Sequence, residues 1–175
     1  MTNAKARGEL LEALRLSRGL TQNQVAQATG VSQAALSKAE SGADLDDEKW
    51  DLIADLMGVP VSAFYSVTSS AAPARIFHRK LRSTPKSAVN KVAAELALVR
   101  LRVRDLMGER RTTLRVHDLE DGFVAPQEIA QDVRDELGLG DGPIDDLVAV
   151  LEDAGALVLR WPLETIQVDA IASWQ

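Results

Sequence analysis

The chain has 175 residues, 46% of them hydrophobic and 26% charged, which suits one domain or two small ones. It has no cysteine and only two histidines, which excludes disulfides, thiolate metal sites, cysteine catalysis and a multi-histidine metal centre. No apolar run is long enough to span a membrane, and the N-terminus lacks the apolar core of a signal peptide. We therefore expect a cytoplasmic protein without membrane association, cofactor or metal.

The formal net charge of −6 is unevenly distributed along the chain. Residues 1–65 carry a net charge of −3, residues 66–117 carry +9, and residues 118–175 carry −12. A basic centre beside an acidic end indicates segments with separate roles, with a polyanion as one candidate partner. The alternative is that the two charged blocks face each other within the fold.

The first 65 residues predict five short helices. Leucines at helical spacing predict a first helix over residues 4–18. Thr21 and Gln24 form a capping box that begins the second helix, and Ser32 caps a third that continues to about Glu40. A fourth helix begins at Asp46 or Asp47 and is expected to bury Trp50, Ile53, Ala54 and Met57. A short fifth helix begins near Pro60.

Residues 66–85 have the composition of a basic linker, and residues 86–107 predict one long helix. Apolar residues of this helix repeat with heptad spacing at Val89, Val92, Leu96, Val99, Val103 and Leu106. Leu98 and Leu101 are expected to widen this seam, which favours core packing over a coiled coil. A homodimer through the helix stays open as the alternative.

Two further helices and a small β element are predicted at the acidic end. Pro126 begins a helix that continues to Leu137, and Pro143 begins another that Gly155 ends. Residues 156–161 alternate like a strand, and residues 166–174 are expected to pair with them.

Residues 18–42, RGLTQNQVAQATGVSQAALSKAESG, have the spacing of a helix-turn-helix, two capped helices joined by a glycine turn. Val25, Ala26, Val31 and Leu36 are expected to lock the two helices together at a steep angle. The second helix then projects its N-terminal turn outward, which is the geometry that enters a major groove.

The side chains of the second helix suit base reading. Gln33 carries both the donor and the acceptor that adenine requires, and Lys38 can reach guanine or a phosphate. Ala34 is small enough for a close approach, and its methyl group can contact thymine. The alternative is that Gln33 and Lys38 are solvated surface residues.

The motifs GLTQ at 19–22, GVSQ at 30–33 and Glu40-Ser41-Gly42 resemble those of the lambda-repressor-like (Cro/CI, XRE) regulators over about residues 7–65. This resemblance implies a five-helix DNA-binding domain in which Arg15 pairs with Glu40. It implies base contacts from Gln33, Ala34, Ser37 and Lys38, and backbone contacts from Thr21, Gln22, Ser32 and Ser41. Ser41 departs from the asparagine that is common in the family.

The domain is itself net negative, with acidic residues clustered between 44 and 55 that we expect to lie away from the DNA groove. Its recognition helix therefore has few phosphate partners. The adjoining basic block predicts a second DNA-binding element, formed by Arg75, Arg79, Lys80, Arg82 and Lys86. The alternative is a solvated linker, or a surface matched to the acidic end.

Residues 125–160 resemble the opening of an ImmA/IrrE-type metallopeptidase domain. The shared features are an Ala-x-x-x-Arg run, Gly-x-x-x-x-Pro-Ile and a Leu-Glu-x-x-Gly helix end. Catalysis in that family requires a His-Glu-x-x-His helix, in which two histidines bind zinc and the glutamate activates water. This chain has no such sequence, so we expect no enzymatic activity.

The sequence as a whole predicts a mainly α protein. Its domains are a helix-turn-helix domain over 1–65, a basic linker over 66–85, and an ImmA/IrrE-like helical domain with a small β element over 86–175. The expected function is a sequence-specific transcriptional regulator, a repressor that occupies a double-stranded DNA operator. The alternatives are the regulatory front of a zinc peptidase and an antitoxin-type interaction module.

Overall fold

The computed structural model describes residues 3–67, 75–108, 112–115, 125–162 and 167–174, without the side chains of Arg75 and His78. This part of the chain is mainly helical with a small sheet, as expected. Its elements in chain order are α1 (Ala4–Ser17), α2 (Gln22–Thr29), α3 (Gln33–Glu40), α4 (Asp47–Leu56), α5 (Ser62–Ser66), β1 (Arg75–Lys80), α6 (Lys86–Met107), α7 (Pro126–Glu136), α8 (Leu147–Asp153) and β2 (Val168–Trp174).

The chain divides into two compact units. Unit 1 is formed by Met1–Leu106 together with Leu163–Gln175, and unit 2 by Met107–Pro162. The divisions predicted after residues 65 and 85 do not coincide with these units. Strand β1, expected to be linker, and all of α6 except its last residue belong to unit 1 with the helix-turn-helix.

The core of unit 1 is built from the apolar residues whose helical spacing predicted α1–α5. Its largest buried side chains include Leu11, Leu36, Trp50, Ile53 and Phe64. The rings of Trp50 and Phe64 pack with their centroids 4.9 Å apart. The inward residues predicted for α4 are all buried. Since burying one large apolar side chain contributes about 1.5–3 kcal/mol, these positions hold the bundle together.

Local hydrogen bonds fix where α2 and α3 begin. The hydroxyl of Thr21 accepts from the backbone N–H of Gln24, whose side chain accepts from the backbone N–H of Thr21. The hydroxyl of Ser32 accepts from the N–H of Ala35 at 3.2 Å. Gly30, between the helices, has φ of +72°, a left-handed conformation that glycine adopts readily. The predicted capping box and serine cap are confirmed.

Helix α1 crosses the end of α3 at Gly8, where the backbones approach closely. A Cβ atom added at Gly8 would lie 2.3 Å from the carbonyl oxygen of Ala39 and 2.7 Å from that of Glu40. Only glycine fits here without a backbone shift. The contact fixes the C-terminal end of α3, and with it Glu40, against α1.

Helix α6 has the predicted bounds, but the face that it turns to the bundle differs from the expected one. Its inward stripe contains Ala94, Ala97, Leu98 and Leu101, and Ala97 packs with Ala13 of α1. At about 100° per residue, Leu98 and Leu101 lie opposite most of the heptad residues. The prediction that they widen the heptad seam is therefore wrong. Of the seam, Val92 is buried, whereas Leu106 is 85% exposed.

The strand pairing also differs from the prediction. Strand β1, within the expected linker, pairs antiparallel with β2, with Arg75 opposite Trp174 and His78 opposite Ile171. Residues 156–161, expected to pair with 166–174, form no strand, and Leu157, Leu159 and Trp161 are exposed. Alternation over a few residues predicts a strand but contains no information on its partner, so the predicted pairing is wrong.

Unit 2 contains α7 and α8. Pro126 occupies the first turn of α7 as predicted. Helix α8 begins at Leu147 rather than at Pro143, because Asp146 caps it by accepting from the N–H of Ala149 at 3.0 Å. The guanidinium of Arg134 donates to the carbonyl oxygens of Gly140 and Gly142, which holds the residues before Pro143 in a loop. Neither helix has a buried residue among those described.

Candidate nucleic-acid interface

The N-terminal end of α3 is open to solvent in the described structure. Ser32, Gln33 and Ala34 are exposed, and Lys38 is exposed one turn later. Leu36 and Ala39, on the other side of the helix, are 1% and 0% exposed. These two residues anchor α3 against the bundle, so the helix presents the predicted base-reading residues outward, with Ser37 half-buried.

A chain of hydrogen bonds leads from a buried ion pair to the first residue of α3. Arg15 and Glu40 pair at two points, with Nε–Oε1 at 2.6 Å and Nη2–Oε2 at 2.8 Å. Gln22 Nε2 donates to Glu40 Oε2 at 2.7 Å, and Gln33 Nε2 donates to Gln22 Oε1 at 2.7 Å. The predicted pairing of Arg15 with Glu40 is confirmed, and it orients both glutamine side chains.

The network leaves Gln33 with the two groups that adenine requires. The bond to Gln22 uses one N–H of the Gln33 amide, so its carbonyl oxygen and second N–H remain for a base. That N–H matches adenine N7, and the carbonyl matches the N6 amino group. Gln22 also retains a second amide N–H, a donor of the kind that binds a phosphate oxygen. The hydrogen bond to Gln22 therefore orients the Gln33 amide in the absence of DNA.

The ion pair beneath this network is almost wholly buried, with side-chain exposures of 9% for Arg15 and 7% for Glu40. Arg15 also donates from Nη1 to the carbonyl oxygen of Leu20, at 2.9 Å. Burial, together with the negative charge of Glu40, raises the pKa of the neighbouring Glu12. Because a buried charge that loses its partner is strongly destabilising, the pair resists rearrangement.

Acidic residues of the 44–55 cluster are engaged elsewhere in unit 1. Asp44 accepts from Arg7 Nη1 at 2.9 Å and from Trp50 Nε1 at 3.2 Å, and the hydrogen bond from Trp50 lowers the pKa of Asp44. Asp47 accepts from the hydroxyl of Tyr65 at 2.6 Å. Arg7 lies over both aromatic rings, 5.3 Å from that of Trp50 and 4.9 Å from that of Tyr65. These contacts tie part of the negative charge of the domain to neighbouring side chains.

The basic residues predicted as a second DNA-binding element surround the end of β1 and the start of α6. Arg79, Lys80, Arg82 and Lys86 are all exposed. Arg79 Nε lies 3.8 Å from Asp169 Oδ2 on β2, a weak pair because its side chain is 84% exposed. Asp169 belongs to the acidic end of the chain, so the two charged blocks meet at this pair, as they do where Arg115 lies 3.8 Å from Glu136. The side chain of Arg75 lies outside the described residues.

An open cleft of about 440 Å³ lies where α2, α3 and α6 begin. Gln22 and Asn23 line it from α2, Gln33 from α3, and Ser87 and Asn90 from α6. The described lining residues include no aspartate or glutamate. Sequence reasoning missed Ser87 and Asn90, because nothing in their local pattern distinguishes them from polar residues at the start of any helix.

Among the described residues, no group of three or more histidine, aspartate or glutamate side chains is placed to hold a metal ion. No helix in the same ranges is long and apolar enough to cross a membrane. His117 lies outside the described residues.

Residues 11–64 match the family model described as Helix-turn-helix. The match extends from α1 into α5 and includes Arg15, Gln22, Gln33 and Glu40. It confirms the lambda-repressor-like resemblance for this segment and supports a DNA-binding regulator of transcription. No curated protein and no solved structure matches the chain. The ImmA/IrrE resemblance of residues 125–160 stays a prediction.

Proposed function

We propose that this protein is a repressor that binds one specific duplex DNA sequence and thereby excludes RNA polymerase from an overlapping promoter. The observation that carries the proposal is the orientation of Gln33. It stands at the open end of α3, fixed through Gln22 to the buried Arg15–Glu40 pair. A preorganised amide at the exposed start of a helix is suited to reading a base edge in the major groove.

The proposed division of roles follows the exposure of the side chains. Gln33, Ala34, Ser37 and Lys38 contact base edges. Thr21, Gln22, Ser32 and Ser41 contact the sugar-phosphate backbone from the ends of α2 and α3. Arg75, Arg79, Lys80, Arg82 and Lys86 add backbone contacts beside the helix-turn-helix, supplying the positive charge that α3 lacks. The DNA that it binds belongs to a bacterium, a phage or a mobile element, and the protein acts in the cytoplasm.

The first experiment is the selection of bound sequences from random duplexes with the full chain. Gln33→Ala is expected to weaken the binding free energy for the preferred site by about 1–3 kcal/mol and to relax selection at one base position. The reason is that alanine cannot make the bidentate pairing with a base. Gln27→Ala, an exposed glutamine of α2 outside the network, is the matched control. A uniform loss of affinity over all sequences would indicate that Gln33 contacts the DNA backbone. The absence of a bound duplex at every ionic strength would contradict the proposal.

The sign of regulation is tested by transcription in vitro. On a template whose promoter overlaps the selected site, the protein should lower transcript yield in proportion to occupancy. Moving the site upstream of the promoter should remove the effect. A rise in transcript yield would make the protein an activator.

The basic element is tested by the salt dependence of binding. The triple variant Arg79→Ala, Arg82→Ala, Lys86→Ala should weaken binding and flatten the plot of log K against log salt by about 0.9 for each phosphate that the variant no longer neutralises. The control replaces three exposed basic residues elsewhere, Lys5, Arg115 and Arg160. Equal slopes of log K against log salt for the two triple variants would show that the basic segment does not contact DNA.

For the second half of the chain we propose a non-catalytic ImmA/IrrE-like portion that assembles copies or receives a signal. Apolar side chains of unit 2 support a binding role, since Leu147, Val148 and Trp161 are exposed among the described residues. Bound zinc, or cleavage of this repressor by a longer protein from the same gene, would instead favour the regulatory N-terminal portion of a zinc peptidase. A co-purifying toxin would favour an antitoxin.

The proposed homodimer would form through the heptad seam of α6, in which Leu106 is exposed. Stoichiometry on the selected duplex tests it. Two chains on a palindromic site support the dimer, whereas one chain on an asymmetric site contradicts it.

A further inference from the structure

The start of α6 lies beside the two helix ends that carry the proposed DNA contacts. Ser87 and Asn90 line the same open cleft as Gln22, Asn23 and Gln33. All these residues belong to unit 1, although more than 50 residues of sequence separate Gln33 from Ser87. The family match ends at residue 64 and therefore assigns nothing to this helix.

We propose that the start of α6 is part of the DNA-binding surface, and that the cleft holds the sugar-phosphate backbone bordering the groove that α3 enters. Ser87 and Asn90 contact the backbone from one wall, and Gln22 contacts it from the other. Lys86 adds a charge contact at the edge. The inference rests on the proposed function, since it extends the same interface.

The groups that line the cleft fit phosphate oxygens. Gln22, Asn23, Ser87 and Asn90 all present side-chain hydrogen-bond donors, and the described lining residues include no carboxylate that would repel an anion. Glu40, the nearest acid of the network, is paired with Arg15 and almost wholly buried. Most protein–DNA hydrogen bonds are made to phosphate and sugar by donors of these kinds.

The shape and charge around the cleft favour an extended polyanion over a small ligand. The cleft is open, so a strand can pass through it. Lys80, Arg82 and Lys86 lead directly to the cleft along the chain and are exposed. The stretch from Lys80 to Lys86 spans at most roughly 20 Å, a length in which one strand of B-DNA carries about six phosphates. A DNA strand that leaves the cleft therefore has Lys80, Arg82 and Lys86 within reach of its phosphates.

The first test places a negative charge in the cleft. Ser87→Asp should lower the affinity of the full chain for its selected duplex about tenfold at low salt, because the carboxylate faces phosphate, and the loss should shrink as salt increases. An acid in the first turn of a helix favours the helix, so weaker binding would not reflect unfolding of α6. Ser62→Asp is the matched control, since Ser62 is also exposed in the first turn of a helix and does not line the cleft.

The second test identifies the phosphate. Ethylation of single phosphates on the selected duplex should reveal at least one position where the ethyl group weakens binding of the unmodified protein but has little further effect on Asn90→Ala. This insensitivity of the variant assigns the contact to Asn90. We expect this phosphate to lie at the edge of the base pairs that α3 contacts, because the cleft borders the start of α3.

The outcomes separate this inference from the proposed function. If Gln33→Ala weakens binding while Ser87→Asp and Ser62→Asp have the same affinity, α6 lies outside the interface and only the further inference is overturned. Tighter binding by Asn90→Ala would also overturn it, because α6 would then obstruct DNA. Absence of a bound duplex would contradict the proposed function itself.

Discussion

Among the described residues, most large apolar side chains of α1–α5 in unit 1 are buried, whereas several large apolar side chains of unit 2 are exposed. Leu11, Leu36 and Ile53 are at most 1% exposed in unit 1, whereas Leu147, Leu159 and Trp161 are about half exposed, at 51%, 49% and 51%, in unit 2. Helical spacing of apolar residues is present in both units. Helical spacing therefore predicts a helix and its apolar side, but not how far that side is buried.

The ion pairs of the two units differ in the same way. Arg15 and Glu40 pair at 2.6 Å with exposures of 9% and 7%, whereas Arg115 and Glu136 lie 3.8 Å apart with exposures of 76% and 41%. The same pair of residue types therefore has a structural role in one unit and little influence in the other. The proposed base-reading amide is oriented through Gln22 by the buried pair, so the candidate site is tied to the buried part of unit 1.

The largest effect is expected from breaking the buried pair. Glu40→Ala leaves Arg15 without its partner and should lower the free energy of unfolding by about 3–5 kcal/mol, measured by urea titration followed by circular dichroism. The matched change in unit 2, Glu136→Ala, should cost less than about 1 kcal/mol because its pair is solvated. Equal losses would contradict the contrast between the two pairs.

The next effect compares two leucines. Leu36→Ala creates a cavity beneath the recognition helix and should lower the free energy of unfolding by about 2–5 kcal/mol. Leu147→Ala, at a half-exposed position, should change it by no more than about 0.5 kcal/mol. A large loss at Leu147 would indicate that its side chain is covered in solution, for example by a second copy of the chain.

Gly8→Ala tests the close approach of α1 to α3. The new methyl group would meet the carbonyl oxygens of Ala39 and Glu40, and the expected cost is about 1–3 kcal/mol of unfolding free energy. Because these carbonyls belong to the end of α3, affinity for the selected duplex should decrease as well. Gly142→Ala in unit 2 is the control, since nothing lies within 4 Å of its added Cβ. Unchanged stability for Gly8→Ala would show that the backbones can separate without cost.

The smallest effect concerns Tyr65, the only tyrosine of the chain, whose ionisation is measured by ultraviolet absorbance. The hydrogen bond to Asp47 raises the pKa of Tyr65 to about 12. The raised pKa means that this hydrogen bond stabilises unit 1 below pH 10, and that its contribution disappears as the pH rises through 12. Asp47→Ala should return the pKa toward 10, whereas Glu48→Ala, the adjacent exposed acid, should leave it near 12. Identical titrations for both variants would exclude the Asp47 hydrogen bond in solution.

Local sequence signals predicted the helix-turn-helix in detail. The capping box at Thr21, the serine cap at Ser32 and the buried positions of α4 depend on neighbours within one or two turns, so spacing alone identifies them. The bounds of α6 were predicted for the same reason. The Arg15–Glu40 pair came from resemblance to a family, because no local rule connects residues so far apart.

Two of the predictions that failed concerned partners distant in sequence. β2 pairs with β1 rather than with residues 156–161, and α6 turns its alanine side rather than its heptad side to the bundle. Both outcomes depend on packing between elements far apart along the chain. The start of α8 differs, because Asp146 caps this helix locally at Leu147.

Capping and helical periodicity act over a few residues, so the amino-acid sequence alone defines where most helices begin and end and which residues α3 presents. The hydrogen bonds by which Gln22 links Gln33 to the buried ion pair form only in the folded chain. Folding also brings Ser87 and Asn90 beside these residues. Such neighbours are chosen by packing between elements far apart along the chain, and packing depends on shape and burial that no short stretch of sequence records.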